Sequence, residues 1–488
     1  MPSTFRTRST AVPRAAWLVP LALAPFLALA QAAAPASAPA EAPAIVLPDT
    51  DPLGVRAAQL EAGYWIAKLD RPDQRLLDAA QVDAQNQRLR GTDPTWNDLA
   101  ELPRTLERER VAAWIQARSQ RPQKTLYDEA GKEGNARQID RLVAALDLAA
   151  IPQTQVTRFG LVVRRASVRT FPTHLRVFTA PGDTDIDRFQ ETALFPGTPV
   201  AIAHDSRDRK WWFVVSPLYA GWVEKDAVAE GGRDEVLGYA ARAPSLLVTG
   251  ATVRTAYAPG NAALSQLQLD MGTRLPLLDA PPTATINGQL AYAAWPVQLP
   301  VRNAEGRLAL APALVPRGAD VAQAPLPLTR ANVLRQAFKF LGERYGWGHD
   351  YNGRDCSGFV SEVYRSMGVL MPRNTSDQRR SPAFDRIDLE GATAQRRTAA
   401  LRALQVGDLL YIPGHVMMVI GRERGEPWVI HDVQAVNVAD AGGGLQRLVL
   451  NAVSVTPLLP LRASATEATT ERITAIVRMR PAGGDTRR

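Results

Sequence analysis

A single cysteine, Cys356, stands in a chain of 488 residues. No internal disulfide can form, so no covalent staple joins one part of the fold to another. The chain is also too long for one domain. In such a chain the lone thiol is either buried and inert or kept as a free reactive group, and its neighbours decide which. Ser357 and Gly358 lead into Phe359, Val360, Val363, Tyr364 and Met367, an apolar stripe at helical spacing. The spacing predicts Cys356 in the first turn of an amphipathic helix. Unpaired backbone N–H groups and the positive end of the helix dipole would favour a thiolate there.

A nucleophile needs a base, and the histidines are only five: His174, His204, His349, His415 and His431. Two of them share a pattern. Gly407-Asp408 turns into an apolar run from Leu409 to Ile412, Pro413-Gly414 make a turn, and His415 opens a strand from Val416 to Ile420. A polar connection runs from Gly421 to Pro427, and Trp428-Val429-Ile430-His431 reads as the next strand. If these strands form a hairpin, His431 falls opposite about Met417, one pleat from His415 on the same face. Cys356 would attack, His415 would take its proton and His431 would orient His415. Taken singly, a lone cysteine is most simply a small core residue and a strand histidine a satisfied core histidine. One cysteine at a helix start with two histidines on one strand face favours the catalytic reading. His349, near the cysteine, is assigned to local structure.

These segments resemble those of the NlpC-type cysteine peptidases, papain-like enzymes that cut bacterial cell-wall peptides. The resemblance rests on Tyr345-Gly346-Trp347-Gly348, Asp355-Cys356-Ser357-Gly358-Phe359-Val360, Leu370-Met371-Pro372-Arg373, Gly407-Asp408-Leu409-Leu410, Gly414-His415-Val416-Met417 and Ile430-His431-Asp432. It covers residues 328 to about 480. One departure is Asn374-Thr375, where many members carry an acid after the Pro-Arg pair. That puts a charge contact from this loop in question. The resemblance implies Cys356, His415 and His431 as the catalytic set, and the Tyr345 hydroxyl with the Cys356 N–H as oxyanion donors. It also implies Asp355, Ser357 and Trp347 as substrate contacts, and no metal or organic cofactor. The reaction it implies is hydrolysis of the γ-D-glutamyl–L-diamino acid bond of peptidoglycan stem peptides.

Upstream, the chain changes character three times. Arg6, Arg8 and Arg14 precede an apolar run from Ala15 to Ala30, broken by Pro20 and Pro25. This reads as a signal peptide over residues 1–32, followed by a flexible Ala/Pro-rich leader over 33–48. The expected product is exported, most simply periplasmic, with secretion or wall association as alternatives and no stable membrane insertion. Removing the three arginines, with no acids lost, lowers the formal charge from +8 to +5. That excess is modest and carries no aromatic-interleaved basic stripe, which excludes a nucleic-acid partner.

Residues 49–152 read as helical, with Tyr64, Trp65, Leu69, Leu76, Leu77 and Val82, then Leu106, Val111, Trp114 and Ile115, at helical intervals. They resemble a helical N-terminal domain that accompanies some NlpC-type peptidases and clips onto their other domains. From 155 to 327, Gly, Pro and short β-branched runs predict small all-β modules. Ser167-Val168-Arg169-Thr170 is echoed by Thr252-Val253-Arg254-Thr255, and Gly197-Thr198 by Gly272-Thr273. The gap is 29 residues from Val168 to Gly197 and 19 from Val253 to Gly272, so the first copy has a longer loop. Each copy resembles a bacterial SH3-like domain, over 155–236 and 237–327. Trp211-Trp212-Phe213-Val214 and Gly221-Trp222-Val223 carry the likeness in the first.

The fold class expected is therefore multidomain α+β: a papain-like catalytic domain over 328–482, preceded by two SH3-like barrels and a helical domain. In similar peptidases the first barrel walls off one end of the groove and helps read a free amino terminus. Glu191 and Tyr219 are the counterparts by position, with Asp355 on the same amine. The implied partners are stem peptides beginning with free L-alanine, acted on by a monomer in wall turnover or recycling. Two other readings stay open. The same Cys-His-His set could act on another amide, as an amidase or acyltransferase, or the chain could be a catalytically silent wall-binding module.

Overall fold

Residues 53–440 and 442–480 are described by a computed structural model. The expected signal peptide and leader lie outside the described residues. Among the described residues, no helix is long and apolar enough to cross a membrane.

The C-terminal part, from Arg330 on, is built on an antiparallel sheet. Its spatial order is Asp385–Asp388, Ala475–Arg478, Leu409–Ile412, His415–Glu423, Glu426–Ala439, Leu445–Pro457. Alternation along these strands builds two layers. Leu409, Tyr411, Val416, Met418, Ile420 and Ile430 meet the helices Arg330–Phe338 and Cys356–Arg365. Leu410, Met417, Val419, Val429 and Ile476 form a second core with Leu389, Ala400 and Leu404.

Turn chemistry sets the hairpins. Pro413-Gly414 joins the first two central strands, with Gly414 at φ 81°. The strands beyond His415 run further than the polar composition suggested, to Glu423 and from Glu426. Only Arg424 and Gly425, at φ 51° and 84°, make the turn. Two residues with positive φ match the twist of a tight hairpin.

The helical N-terminal segment has no core of its own. Its stretch at Tyr64 to Val82 is not one helix but Ala62–Ile66, a non-helical connection, and Ala79–Thr92, which Asp78 caps through the Gln81 N–H. Trp65, Leu77, Val82 and Leu89 pack into the core between the C-terminal sheet and the helices Arg330–Phe338 and Cys356–Arg365. Leu106 lies on a short strand, Thr105–Glu107, ahead of the helix Arg108–Arg118. From Leu99 to Ile151 the apolar residues join the core of the first β unit instead.

That unit is a seven-stranded antiparallel sheet between Arg158 and Gly231, with Phe159, Phe213 and Trp222 at its centre. The long loop is packed rather than loose. Phe171, Phe178 and Phe189 are buried, and buried Asp187 accepts from the Val177 and Phe189 N–H groups and from Arg169. The second β unit runs from Ser245 to Ala322 as a three-stranded sheet and separate hairpins, the longest pairing Ala294–Arg302 with Leu308–Pro316, around Leu246, Val248, Leu269, Leu275 and Val297.

Candidate active site

Cys356 opens the helix Cys356–Arg365, as its spacing predicted. Asp355 is the N-cap, and its carboxylate accepts from the Gly358 N–H at 2.8 Å. Gly358 itself has a steric reason. A Cβ there would stand 2.4 Å from the His349 ring.

The two strand histidines meet. The register Val419↔Val429, Met418↔Ile430 continues to put His431 across from Met417. His415 Nε2 and His431 Nδ1 are 2.8 Å apart. The paired ladder ends at Met418↔Ile430, and at that end the Val416 N–H donates to the Cys356 sulfur. Cys356 thus lies beside the residue that follows His415. Among the described residues it makes no side-chain hydrogen bond to either imidazole. Such contacts commonly tighten only when substrate binds.

One further residue completes the histidine chain. Thr456, buried on the strand Leu445–Pro457, lies 3.1 Å from His431 Nε2 through its hydroxyl. A base at His415 Nδ1 requires the His415 hydrogen on Nε2, donated to His431 Nδ1. His431 then carries its hydrogen on Nε2 and donates to Thr456 Oγ1. One chain of bonds accommodates that set of tautomers from end to end. No local motif marks Thr456; only the strand pairing His431↔Ser454, Val429↔Thr456 brings it here.

Electrostatics correct the expectation of a resting thiolate. Burial, followed by the charge of Asp355, pushes the Cys356 thiol up; the Val416 N–H and Arg373 oppose it without prevailing. Burial lowers His415 to about 4 and holds His431 well below the usual imidazole value. The resting site is therefore a neutral thiol beside neutral imidazoles. Asp432, next to His431, is fully buried, and neither carboxylate oxygen has a partner among the described residues. Burial and nearby Asp355 raise it far above the ordinary carboxylate range, toward the neutral acid.

Tyr345 is buried, and its hydroxyl has no hydrogen-bond partner among the described residues. Burial, with Cys356 and Asp355 beside it, raises its pKa, so it remains a donor. It lines a pocket of about 330 Å³ together with His415, Met417 and His431.

The remaining expected contacts gather around Arg373. Its guanidinium bonds Asp355 at 2.7 and 3.1 Å, Ser357 at 2.8 Å, Thr192 Oγ1 at 2.6 Å and His349 Nδ1 at 2.9 Å. The loop after the helix thus contributes its charge contact through Arg373 itself, while Asn374 bonds Asp377. Beside Thr192, Glu191 accepts from Thr170 and from the Tyr219 hydroxyl, and Arg118 stands 3.5 Å away. Asp355, Ser357, Glu191 and Tyr219 therefore form one connected cluster. Its two carboxylates already have arginine partners, which the sequence did not reveal. Asp355 is accordingly held near 2, with burial opposing Arg373. Trp347 is fixed by its indole N–H on the Gln190 carbonyl at 3.1 Å. His349 is buried between Arg373 and Glu362, its Nε2 3.0 Å from the latter carboxylate, a structural place.

Buried cysteine at a helix start, paired histidines on a facing sheet and an abutting small β unit make up a papain-like arrangement. Residues 342–449 match the NlpC/P60 family, and residues 176–224 match an SH3 domain of the SH3b1 type, so the chain carries both domains. The structure is similar to an NlpC/P60 endopeptidase from Photobacterium damselae subsp. piscicida, with a TM-score of 0.68 and 17% identity. That alignment covers 86% of this chain and 97% of the other, so the likeness of fold extends well beyond the NlpC/P60 domain. An NlpC/P60 family protein from Bacillus cereus ATCC 10987 aligns with a TM-score of 0.45 and 20% identity, over 66% of this chain and 100% of that one. In sequence, the chain is similar to dipeptidyl-peptidase 6 of Lysinibacillus sphaericus, 34% identical over 94 residues. The match spans 19% of this chain and 30% of that relative, less than a third of the relative's length.

Proposed function

We propose that this protein is a cysteine endopeptidase that hydrolyses the γ-D-glutamyl–L-diamino acid bond of peptidoglycan stem peptides. The observation that carries it is the conjunction of Cys356 at its helix start with the hydrogen-bonded His415–His431 pair. The matching NlpC/P60 domain supports the same reading.

In the proposed reaction His415 Nδ1 takes the Cys356 proton as the sulfur attacks the amide carbonyl after γ-D-glutamate. A thiol raised by burial ionises only as it attacks, so proton transfer and attack are coupled. The oxyanion is held by the Cys356 N–H and the free Tyr345 hydroxyl. The His415 imidazolium then protonates the departing amine of the diamino acid, and the C–N bond breaks to leave a thioester. Water, deprotonated by the same imidazole, attacks the thioester; the thiol returns and the acid is released.

The cluster of Glu191, Tyr219, Asp355 and Ser357 supports recognition of a free amino terminus. A buried ammonium needs carboxylate partners, and an acylated one would leave them unmatched. Because Arg118 and Arg373 already engage those carboxylates, an entering ammonium would share them with the arginines. The substrates would then be released peptides beginning with L-alanine, in turnover rather than in opening of intact walls. The second β unit is read as another SH3-like barrel, and the chain as exported to the periplasm.

Mass spectrometry of L-Ala-γ-D-Glu-diaminopimelate, its N-acetylated copy and intact sacculi tests this, with Cys356→Ala as control. Cleavage of the free-amine peptide alone, lost in the control, is the expected result. Cleavage of all three would keep the peptidase and remove the amine pocket. No cleavage would overturn the reading.

A further inference from the structure

Arginines on the two sides of Cys356 are treated differently by the fold. On the barrel side four of them have an acid: Arg118 with Glu191, Arg165 with Asp270, Arg176 with Asp350, Arg373 with Asp355. On the other side lies the pocket that holds Tyr345, His415 and His431. Its far wall carries Arg447, Arg462 and Arg472. Among the described residues none of these three has a carboxylate within ion-pair distance. Arg447 bonds only the neutral Gln434 side chain, at 3.1 Å. The barrel-loop acid on this side, Asp185, is taken by Arg344 at 2.7 Å. Glu467 and Glu471, in the segment that carries Arg462 and Arg472, make no ion pair, and Glu471 caps the Ala468 N–H.

Guanidinium groups stay charged at every physiological pH. Three of them line one pocket of about 330 Å³ that the proposed base also lines. They give the pocket a positive lining with no ion-paired acid among the described residues, Arg447 and Arg472 being exposed to solvent. Under the reading above, the free amine lies at the barrel cluster and the scissile carbonyl at Cys356. The residue beyond the scissile bond then enters this pocket.

We propose that Arg447, Arg462 and Arg472 form an anion-reading subsite for the leaving residue, selecting a diamino acid whose side chain carries a carboxylate over one that carries only an ammonium. The inference rests on the proposed peptidase reading for the direction of the chain. The carboxylate of diaminopimelate would meet the guanidiniums, whereas the lysine ammonium would meet like charge.

The test compares kcat/KM for L-Ala-γ-D-Glu-diaminopimelate, the same peptide with the side-chain carboxylate amidated, and L-Ala-γ-D-Glu-L-Lys. Wild type is set beside Arg462→Gln and Arg472→Gln, with unchanged melting temperatures as the check on folding. The expected preference for diaminopimelate is about tenfold or more at low salt, the size of one or two partly screened charge contacts. It should shrink in both variants, and the amidated peptide should fall toward the lysine rate. Equal cleavage, or a preference untouched by both substitutions, overturns the subsite and leaves the peptidase standing. Calorimetric titration of Cys356→Ala with the same three peptides separates the two ideas. Tighter binding of diaminopimelate, lost on adding Arg472→Gln, supports the subsite even if wild type cleaves none of them. No discrimination in binding overturns it.

Discussion

At the scale of single residues, the candidate site is a line of neutral groups: thiol, imidazole, imidazole, hydroxyl. Its function then depends on which atoms hold hydrogens, and Thr456 supplies the acceptor that the active arrangement uses. If Thr456 accepts from His431 Nε2, His415 Nδ1 is left bare to act as base. Without that acceptor, His431 can place its hydrogen on Nδ1 and turn His415 into the wrong tautomer. Thr456→Val keeps the shape and removes the acceptor. We expect kcat/KM to fall about five- to tenfold, the worth of one hydrogen bond of about 1 kcal/mol. Thr456→Ser should restore it. The pH profile adds a readout that a packing defect would not move. His415 is lowered to about 4, so it is unprotonated above that pH and the base is lost as pH falls through it. The wild-type kcat/KM should therefore hold its plateau below pH 6.5 and fall with a midpoint near 4. An acid limb at an ordinary histidine value, or equal activity of the valine variant, would sink this account.

At the scale of elements, what could be read from the sequence was whatever local periodicity records. The stripe from Phe359 to Met367 gave the helix and the place of Cys356 on it. Alternation around His415 and His431 gave the shared face and the register at Met417. Periodicity misled at two places, each for a physical reason. The ends of the histidine hairpin are polar because they are solvated, so the strands there looked like loop; their pairing to Glu423↔Glu426 is carried by the backbone. The apolar residues from Tyr64 to Val82 looked like one helix face because they do face one core, but it is the core of another domain. Trp65 shows the consequence. It is 1% exposed, its ring lies 5.7 Å from that of Trp428, and its indole N–H bonds the Gln59 carbonyl. Gly421 makes room for it, since a Cβ there would stand 2.6 Å from the ring. Trp65→Ala should cost about 3–5 kcal/mol, the range for deleting a buried aromatic side chain. Because the helical segment shares the catalytic core, the loss should lower the denaturant midpoint of the transition that unfolds the NlpC/P60 domain. A separate early transition, with that domain's midpoint unchanged, would show that the helices stand alone.

At the scale of the whole molecule, the residues ahead of Cys356 are held by domains far from it in sequence. The segment Gly348–Asn352 carries positive φ at Gly348, His349, Tyr351 and Asn352, a costly conformation for the three that are not glycine. The first barrel clamps it: Arg176 bonds Asp350 and the Tyr351 hydroxyl, Arg165 bonds the His349 and Gly353 carbonyls, and Gln190 bonds the Gly348 carbonyl. The second β unit contributes Asp270, which is fully buried and accepts from Arg165 at 2.5 Å and from Arg354 at 2.8 Å. Arg354 is 0% exposed, also pairs with Glu343 and Glu362, and precedes Asp355-Cys356 in the chain. None of these partnerships was legible in the sequence, because ion pairs across domains leave no local pattern. They make a specific claim about what the second unit does. If it were only a tethered wall-binding module, removing one of its acids would leave the reaction untouched. If it is a strut for the nucleophile, Asp270→Asn should act at a distance. The substitution keeps the size and removes the charge that balances buried Arg354 and partly buried Arg165, and breaking a buried pair costs about 3–5 kcal/mol. Arg354 would then draw on Glu343 and Glu362 alone and shift the turn that sets Asp355. We expect a lower melting temperature together with a lower kcat/KM on the free-amine peptide. Glu305→Gln, at an exposed acid of the same unit, should change neither. Asp270→Asn with wild-type melting and wild-type rate would show that the catalytic domain needs nothing from its neighbour.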